Sequence, residues 1–246
     1  MNRAHLLARR LRPYLPEAVK PALRAAQGVF YSKRRPELGN WRYKAHLDGG
    51  TFANDHYRDY FLAMAGEPDD GFVAGKVVAD FGCGPRGSLA WARPASARLG
   101  IDVLATRYVE EFAPGWRDHG RVYVQSTERH LPLGDDTVDL LFSLNALDHV
   151  RDFERVCDEL YRVVRPGGEF VLGFNLTEPT SPTEPHSLTL ERIGAALLDR
   201  LDVTRRLVSA QAPPPDRYAP MFAGDPLPYS PAGPGFLWVR ATKPHA

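Results

Sequence analysis

Short apolar runs alternate with amphipathic segments over most of the chain after residue 75. The apolar runs predict seven strands, at residues 77–80, 100–103, 121–125, 138–143, 169–174, 201–208 and 235–241. The amphipathic segments predict helices at residues 88–99, 105–116, 153–164 and 187–198. Because strands that alternate with helices build a parallel sheet covered on its faces, the pattern predicts an α/β fold.

A glycine-rich turn follows the first predicted strand. Gly82, Gly84 and Gly87 stand between the apolar run and the next amphipathic segment in the arrangement G-x-G-x-x-G. Glycines at this place let the backbone turn sharply and let a ligand approach closely. The spacing is shared by dinucleotide-binding proteins and other nucleoside-binding α/β folds, so it predicts a nucleoside site without identifying the ligand.

Asp80, two residues before the first glycine, favours a cationic ligand. A carboxylate there repels the pyrophosphate of a dinucleotide, whereas S-adenosylmethionine carries a sulfonium and an ammonium group and no phosphate. The pattern D-x-G-x-G at the end of a strand resembles the first motif of class I S-adenosylmethionine-dependent methyltransferases. An NAD(P)-dependent oxidoreductase is the alternative enzyme, and Asp80 counts against it.

Three later features strengthen this resemblance, and in particular the resemblance to the ubiquinone and menaquinone methyltransferase group and its type 11-like domain. Asp102 lies near the end of the second predicted strand, 20 residues after Gly82. Residues 128–140 resemble the family pattern E-x-L-P-F-x-D-x-x-F-D-x-V, with one extra residue before Leu-Pro. Residues 162–168, RVVRPGG, resemble the family's RVLKPGG. The resemblance covers residues 75–175 well and the rest of the chain loosely or not at all.

The resemblance implies a Rossmann-like sheet of seven strands in the order 3-2-1-4-5-7-6, with strand 7 antiparallel and helices on both faces. It also implies S-adenosyl-L-methionine as cofactor, with its methionine end over the glycine turn, its ammonium near Asp80 and its ribose on Asp102. The candidate cofactor-binding residues are Asp80, Gly82, Gly84, Arg86, Asp102, Ser126 and Asn145. Thr127 and Glu128 are alternatives to Ser126 at the adenine, and Asp102 is also interpreted as a cap of the following helix.

Candidate residues for a methyl acceptor follow the fourth and fifth predicted strands, because ligands of open parallel sheets bind beyond the carboxyl ends of the strands. His149 is the first candidate general base for a hydroxyl acceptor and His186 is the second. His149 has an alternative interpretation, in which it only orders the pocket. Asp148 and Glu184 are candidate substrate-binding residues, although Glu184 and His186 also fit a surface loop with incidental charges.

Residues 1–65 are predicted to be an N-terminal extension, and residues 66–246 the methyltransferase domain. Residues 1–44 contain eleven Lys or Arg and two Glu, although the net charge of the chain is +1. The basic arm either packs its leucines on the body or contacts an anionic membrane or an acidic partner through residues 1–35. Aromatic residues within 41–65 predict either a helical cover over the cofactor pocket or packing at the sheet edge.

Composition excludes several classes of protein. A net charge of +1 in 246 residues argues against nucleic acid as the main partner. Two cysteines give neither a metal spacing nor a disulfide framework, and no acidic cluster predicts a metal. The sequence contains neither an apolar signal core nor a run of the ~20 residues that span a membrane. We therefore expect a cytoplasmic location.

The predicted activity is methyl transfer to a small molecule, a glycan or a secondary metabolite. An oxygen atom is the first expectation for the acceptor, and nitrogen and carbon are alternatives. The alternative outside enzymes is a catalytically idle, methyltransferase-like subunit that binds a partner through its basic arm.

Overall fold

The computed structural model describes residues 34–50, 52–113, 119–127, 129–181, 183–214 and 216–245. Most of the basic arm (residues 1–33), the end of the predicted helix 105–116, and Glu128 lie outside these ranges. The predictions made for those residues therefore stay predictions.

Seven strands form one sheet. They are β1 (Val77–Phe81), β2 (Ala97–Asp102), β3 (Val122–Gln125), β4 (Val138–Leu144), β5 (Val164–Leu176), β6 (Asp202–Ala210) and β7 (Gly235–Thr242). Their order is β3-β2-β1-β4-β5-β7-β6. The pairs from β3 to β5 are parallel, and β7 is antiparallel to both β5 and β6. The predicted fold class, strand order and strand direction are confirmed.

Six α-helices accompany the sheet in the described ranges. They are α1 (Arg34–Leu47), α2 (His56–Ala65), α3 (Ala105–Phe112), α4 (Phe153–Val163), α5 (Leu190–Ala196) and α6 (Ala219–Ala223). Three short 3-10 helices cover Asp70–Val73, Leu147–His149 and Leu198–Arg200. In the described ranges, no helix is both long enough and apolar enough to cross a membrane.

Successive residues of the strands point into two different apolar clusters. In β4, Leu140 and Phe142 belong to a cluster that includes Phe61 of α2, whereas Leu141 belongs to a cluster that includes Leu160 of α4. This alternation follows from the two-residue period of a strand, and the wholly apolar sequence of β4 follows from burial on both faces. The sheet is therefore covered on both sides and presents the ends of its strands to the functional site.

The prediction of a helix at residues 88–99 is wrong. Turns connect β1 to β2, with backbone bonds from Ala90 to Gly87 of 2.9 Å and from Ala92 to Leu89 of 3.1 Å. Proline at 94 interrupts helical bonding, and β2 already begins at Ala97. Leu89 and Ala92 are nevertheless fully buried. The apolar pattern therefore predicted the burial of these residues correctly, but it did not distinguish a buried turn from a helix.

The segment RPGG lies inside β5 and does not separate a helix from a strand. Strand β5 begins at Val164, and its register with β4 shifts between the pair Val138–Val164 and the pair Leu140–Glu169. Gly167 has a φ of +72°, which glycine adopts without steric strain, and its N–H donates to the carbonyl of Lys243 over 2.8 Å. The motif is a bulge in the strand, and the predicted start at residue 169 was too late.

Candidate functional site

A cavity of about 550 Å³ opens where β1, β2 and β4 end. Its walls come from these strand ends, from α1 and α2, and from the loop after β5. Six residues that the sequence predicted for the site line it, namely Asp80, Gly82, Asp102, Asn145, His149 and Glu184. The fold thus brings together cofactor and acceptor candidates that are up to 104 positions apart in the chain.

Asp80 is a buried carboxylate on the cavity wall. It is 3% exposed and accepts a hydrogen bond from the hydroxyl of Ser88. Burial raises the pKa of Asp80 to about 7, while the Ser88 hydrogen bond and the charge of Arg121 act in the opposite direction. A cation bound beside Asp80 would offset the cost of burying its charge and favour the ionised form.

Asp102 closes β2 and holds the backbone on both sides of the cavity entrance. Its Oδ2 accepts from the N–H of Gly84 over 3.2 Å, and its Oδ1 accepts from the N–H of Leu104 over 2.8 Å. Burial raises its pKa to about 6, and the two backbone donors act against that rise. The N-cap of α3 is Leu104, and Asp102 bonds to the N–H of that residue without being the cap itself. Asp102 also lines the cavity. Each carboxylate oxygen retains capacity for a further donor.

The glycine turn leaves no space for side chains. Gly82 and Gly84 have φ angles of +75° and +54°, in the region that favours glycine. A Cβ on Gly82 would collide with Ala146, and one on Gly84 would lie 2.6 Å from the ring of Trp41. The turn therefore brings the backbone itself to the cavity, as the motif predicted.

Five predicted residues do not line the cavity, namely Gly84, Arg86, Ser126, Asp148 and His186. Arg86 forms an ion pair with Asp48 at 2.8 Å and donates to the carbonyl of Ala53. Its guanidinium is therefore engaged by these groups, whereas the sequence predicted a contact with the cofactor carboxylate. Gly84 nonetheless touches the site through its bond to Asp102.

Ser126 is buried and His186 is half-buried, and both lie in other surroundings. The Ser126 hydroxyl has no hydrogen-bond partner among the described residues, and its N–H donates to the carbonyl of Asp102 over 3.1 Å. His186 Nδ1 lies 3.2 Å from the guanidinium of Arg192. The adenine contact at Ser126 and the base role of His186 were predicted from position along the chain, and neither side chain reaches the cavity wall.

His149 stands among three carboxylates at the acceptor side of the cavity. Its Nδ1 lies 4.0 Å from Glu37 Oε2, and its Nε2 lies 3.9 Å from Asp148 Oδ1 and 3.8 Å from Glu184 Oε1. Asp148 is buried behind the ring, and burial raises its pKa. Three carboxyl groups therefore lie within 4.0 Å of the ring nitrogens of His149.

Helix α1 contributes residues that the sequence did not single out. Glu37, Asn40 and Lys44 line the cavity from one face of α1, together with Trp41. Their spacing of three and four residues places them on one side of a helix, which was the available signal. The aromatic residues Trp41, Tyr57 and Phe61 of α1 and α2 also line it, which agrees with the predicted helical cover.

The proline-rich segment between β6 and β7, residues 211–234, contacts the site through Tyr218. Its hydroxyl accepts a hydrogen bond from the amide of Asn145, whose φ is +50°. Tyr60 of α2 packs on the ring of Tyr218, with 5.3 Å between the ring centroids, and does not line the cavity. The aromatic residues before β1 therefore cover the cavity and pack on the face of the sheet, where Phe61 stacks on Phe142 of β4, and not at the sheet edge. The length of the segment was the signal for a role at the site, but it could not identify Tyr218.

The chemistry of this wall fits S-adenosylmethionine. Two buried carboxylates match a ligand with cationic groups and ribose hydroxyls, and Asn145 Oδ1 is a buried acceptor with no partner among the described residues. The glycine turn provides the close backbone approach that a nucleoside requires. In the described ranges, no group of three or more His, Cys, Asp or Glu side chains has an arrangement that could hold a metal ion.

Comparison with known proteins identifies related sequences over the middle of the chain. The profile of a family described as a methyltransferase domain matches residues 79–172. An uncharacterised methyltransferase of Mycobacterium ulcerans (strain Agy99) is 36% identical over 122 residues, which are 48% of this chain and 45% of that protein. The chain spans less than half the length of the first curated relatives that it matches.

Solved structures share the fold over a larger part of the chain. An S-adenosylmethionine-dependent methyltransferase from Mesorhizobium loti superposes with a TM-score of 0.54 at 23% identity, covering 75% of this chain and 97% of that one. Geranyl diphosphate C-methyltransferase from Streptomyces coelicolor A3(2), solved with S-adenosyl-L-homocysteine, gives 0.53 at 16% identity, covering 76% of this chain and 78% of that one. At these identities the likeness concerns the fold.

Proposed function

Residues 79–172 form a class I S-adenosylmethionine-dependent methyltransferase domain, and from this premise we propose that the protein methylates a hydroxyl oxygen of a small molecule, a glycan or a secondary metabolite. The observation that supports a hydroxyl acceptor is the position of His149, a candidate base on the cavity wall among carboxylates. The names of the curated relatives cited above give no acceptor, and geranyl diphosphate C-methyltransferase shares only the fold at 16% identity, so this assignment rests on the residues of the site.

Cofactor binding falls to the strand ends and the glycine turn. Asp80 pairs with the ammonium group, Asp102 accepts hydrogen bonds from the ribose, and Asn145 offers a free acceptor at the mouth. Bound S-adenosyl-L-methionine supplies an electrophilic methyl group. Helices α1 and α2 cover the cavity with Trp41 and Tyr57 and limit the access of water, which favours an in-line attack by an ordered acceptor.

Proton removal from the acceptor falls to His149. The carboxyl groups of Glu37, Asp148 and Glu184 lie 3.8–4.0 Å from its ring nitrogens, so His149 has acceptor groups close to the ring nitrogen that would take the proton. Glu184 also holds the acceptor through a hydrogen bond from one of its polar groups. Asp148, which does not line the cavity, acts on the acceptor only through His149, 3.9 Å away. His186 is the less favoured base because it contacts Arg192 instead of the cavity.

Binding and turnover test this function separately. Calorimetry with S-adenosylmethionine and with NADH should show binding of the first only. A screen of hydroxyl acceptors with labelled cofactor should then detect methyl transfer. Binding of NADH without S-adenosylmethionine would refute the proposal. Cofactor binding without transfer to any acceptor would favour the idle-subunit alternative.

Substitution of the proposed base gives a sharper test. His149→Ala should lower kcat on the hydroxyl acceptor by about 10²–10⁴-fold, the usual contribution of a general base, with the cofactor Kd little changed. His186→Ala is the matched control, since it removes a histidine outside the cavity, and it should retain most of the activity. Full activity of the His149 variant would contradict the base role.

A further inference from the structure

Arg121 lies beneath the glycine turn and is absent from the residues predicted for the site. We propose that Arg121 is a positioning residue for the cofactor, which fastens the glycine turn from below and supplies the countercharge that lets Asp80 act as an anion. This inference rests on the proposed pairing of Asp80 with the cofactor ammonium.

The guanidinium of Arg121 bonds to both sides of the turn. Its Nη1 donates to the hydroxyl of Ser88 over 2.8 Å, and its Nη2 donates to the carbonyl of Gly84 over 3.0 Å. Ser88 in turn donates to Asp80. Arg121 is therefore linked to the Asp80 carboxylate by one hydroxyl, in a chain of hydrogen bonds in which each group orients the next.

The surroundings of Arg121 are shaped for its side chain. The guanidinium lies 4.4 Å from the centroid of the Tyr123 ring, and its Nη2 donates to the Tyr123 hydroxyl over 2.6 Å. That hydroxyl donates to the carbonyl of Pro85 over 3.3 Å. A Cβ on Gly100 of β2 would lie 2.9 Å from Cys83 Sγ and 3.0 Å from Arg121 Nε, so Gly100 leaves space for both side chains. Arg121 thus holds Gly84 directly and Pro85 through Tyr123.

The ionisation of Asp80 depends on burial, on the hydrogen bond from Ser88 and on the charges of Arg121 and Asp102. Arg121 favours the carboxylate, whereas Asp102 on β2 opposes it. Cys83 of the turn and Tyr57 of α2 also face Asp80, and burial raises the pKa of each, which keeps both groups neutral. Because burial already raises the pKa of Asp80 to about 7, loss of the Arg121 charge would leave this group protonated at neutral pH.

The test is the pH dependence of cofactor affinity in the full-length protein. The Kd of S-adenosylmethionine is measured by calorimetry from pH 6 to pH 9 for wild type and for Arg121→Met. The ratio of the two Kd values cancels the titration of the ligand itself. We expect a ratio of at least about tenfold near pH 6.5 that falls towards a few-fold at pH 9, since each unit of pKa shift changes the ionised fraction by up to tenfold.

The same ratio of Kd values, measured in proteins that also carry Asp80→Asn or Asp102→Asn, shows which carboxylate titrates. In Asp80→Asn protein the ratio should no longer depend on pH, whereas in Asp102→Asn protein the dependence should persist. Arg121→Lys keeps the charge but not the fork of donors, so it should weaken binding without a pH-dependent ratio. A ratio that is flat from pH 6 to pH 9 in the wild-type background overturns the countercharge role.

Folding and the proposed function are checked independently. Circular dichroism and thermal unfolding show whether Arg121→Met folds. If it does not, Ser88→Ala breaks the same hydrogen-bond chain and should shift the pH dependence of the Kd in the same direction, and the absence of that shift overturns the inference. Failure of wild-type protein to bind S-adenosylmethionine at any pH would instead overturn the proposed function.

Discussion

Asp80 places ligand binding and stability in opposition at a single residue. In an unfolded chain a carboxyl of this type has a pKa near 3.8, and burial raises the pKa of Asp80 to about 7 in the folded protein. The folded state therefore binds the proton more tightly than the unfolded state. The stability that this group contributes is complete below pH 3.8 and is lost as pH rises to about 7.

Asp80→Asn should therefore stabilise the ligand-free protein, and more so at pH 8 than at pH 5. Asparagine can still accept the hydrogen bond from Ser88, but it carries no charge to bury. The shift predicts an extra ~1–3 kcal/mol in the free energy of unfolding at pH 8 relative to pH 5. Urea unfolding at both pH values measures it.

Loss of cofactor affinity should accompany this gain in stability, because the variant no longer pairs with an ammonium group. Wild-type protein at each pH is the reference. If the difference in stability between the variant and wild type were the same at pH 5 and pH 8, burial of an ionised Asp80 would not be the source of the cost.

Residues of the site were predictable from sequence where the chemistry is local. Asp80 and Gly82 share one motif, and Asn145 and His149 follow one strand, so the position of a strand end was enough to find them. Arg121 and Glu37 were not predictable because each reaches the site by packing. Arg121 touches a turn 33–37 residues before it, and Glu37 lies 112 residues before His149.

At the scale of elements, α1 is part of the site although it lies outside residues 79–172. Leu38 is buried with Leu104 and Tyr108, and Arg42 bonds to Glu111 of α3. Trp41 fills the space above Gly84 and contacts Tyr108 edge-on, with 6.4 Å between the ring centroids. The helix is therefore held against the β2–α3 region and closes the cavity on that side.

Trp41→Ala should weaken binding of S-adenosylmethionine by about tenfold, because it removes an aromatic wall of the cavity and lets water enter. Tyr43→Ala is the matched control on the same helix, since the Tyr43 side chain is 61% exposed. Calorimetry on both variants measures the difference. Equal affinity of the two variants would show that α1 does not contribute to the cofactor site.

Strands were more predictable than helices in this chain. The apolar runs located all seven strands, and the ends mostly differ from the structure by up to three residues. The helix predicted at 88–99 failed because a buried turn with leucine, tryptophan and alanine has the same apolar content as a helix face. Strand β5 began five residues earlier than predicted because a glycine bulge continues the pairing with β4.

At the scale of the whole molecule, the strand order was predicted from the resemblance of the motifs to a family of known fold. The pattern of strands and helices alone predicted only an α/β fold. The division at residue 65 stays a prediction. Contacts cross that boundary, since α2 packs Phe61 on Phe142 of β4 with 4.5 Å between their ring centroids. Residues 34–65 are thus joined to the sheet by apolar packing. The prediction for the basic arm before them depends on its positive charge.

The uneven distribution of charge leads to a prediction about surfaces. Residues 1–44 carry eleven Lys or Arg against two Glu, so the rest of the chain is acidic overall. Each basic residue near an anionic membrane contributes about 1 kcal/mol, and salt screens this attraction over ~8–10 Å. Full-length protein should therefore sediment with phosphatidylserine vesicles at low salt and dissociate at 0.5 M salt.

Replacement of Arg9, Arg10, Arg12, Lys20 and Arg24 by glutamine should abolish that sedimentation and leave the affinity for S-adenosylmethionine unchanged, because these residues precede the helices that line the cavity. Vesicles of phosphatidylcholine alone are the control for apolar adsorption. Equal retention of both proteins on anionic vesicles would mean that these five basic residues do not mediate the contact with the membrane. Binding of neither protein would favour the alternative in which the arm packs on the body of the protein.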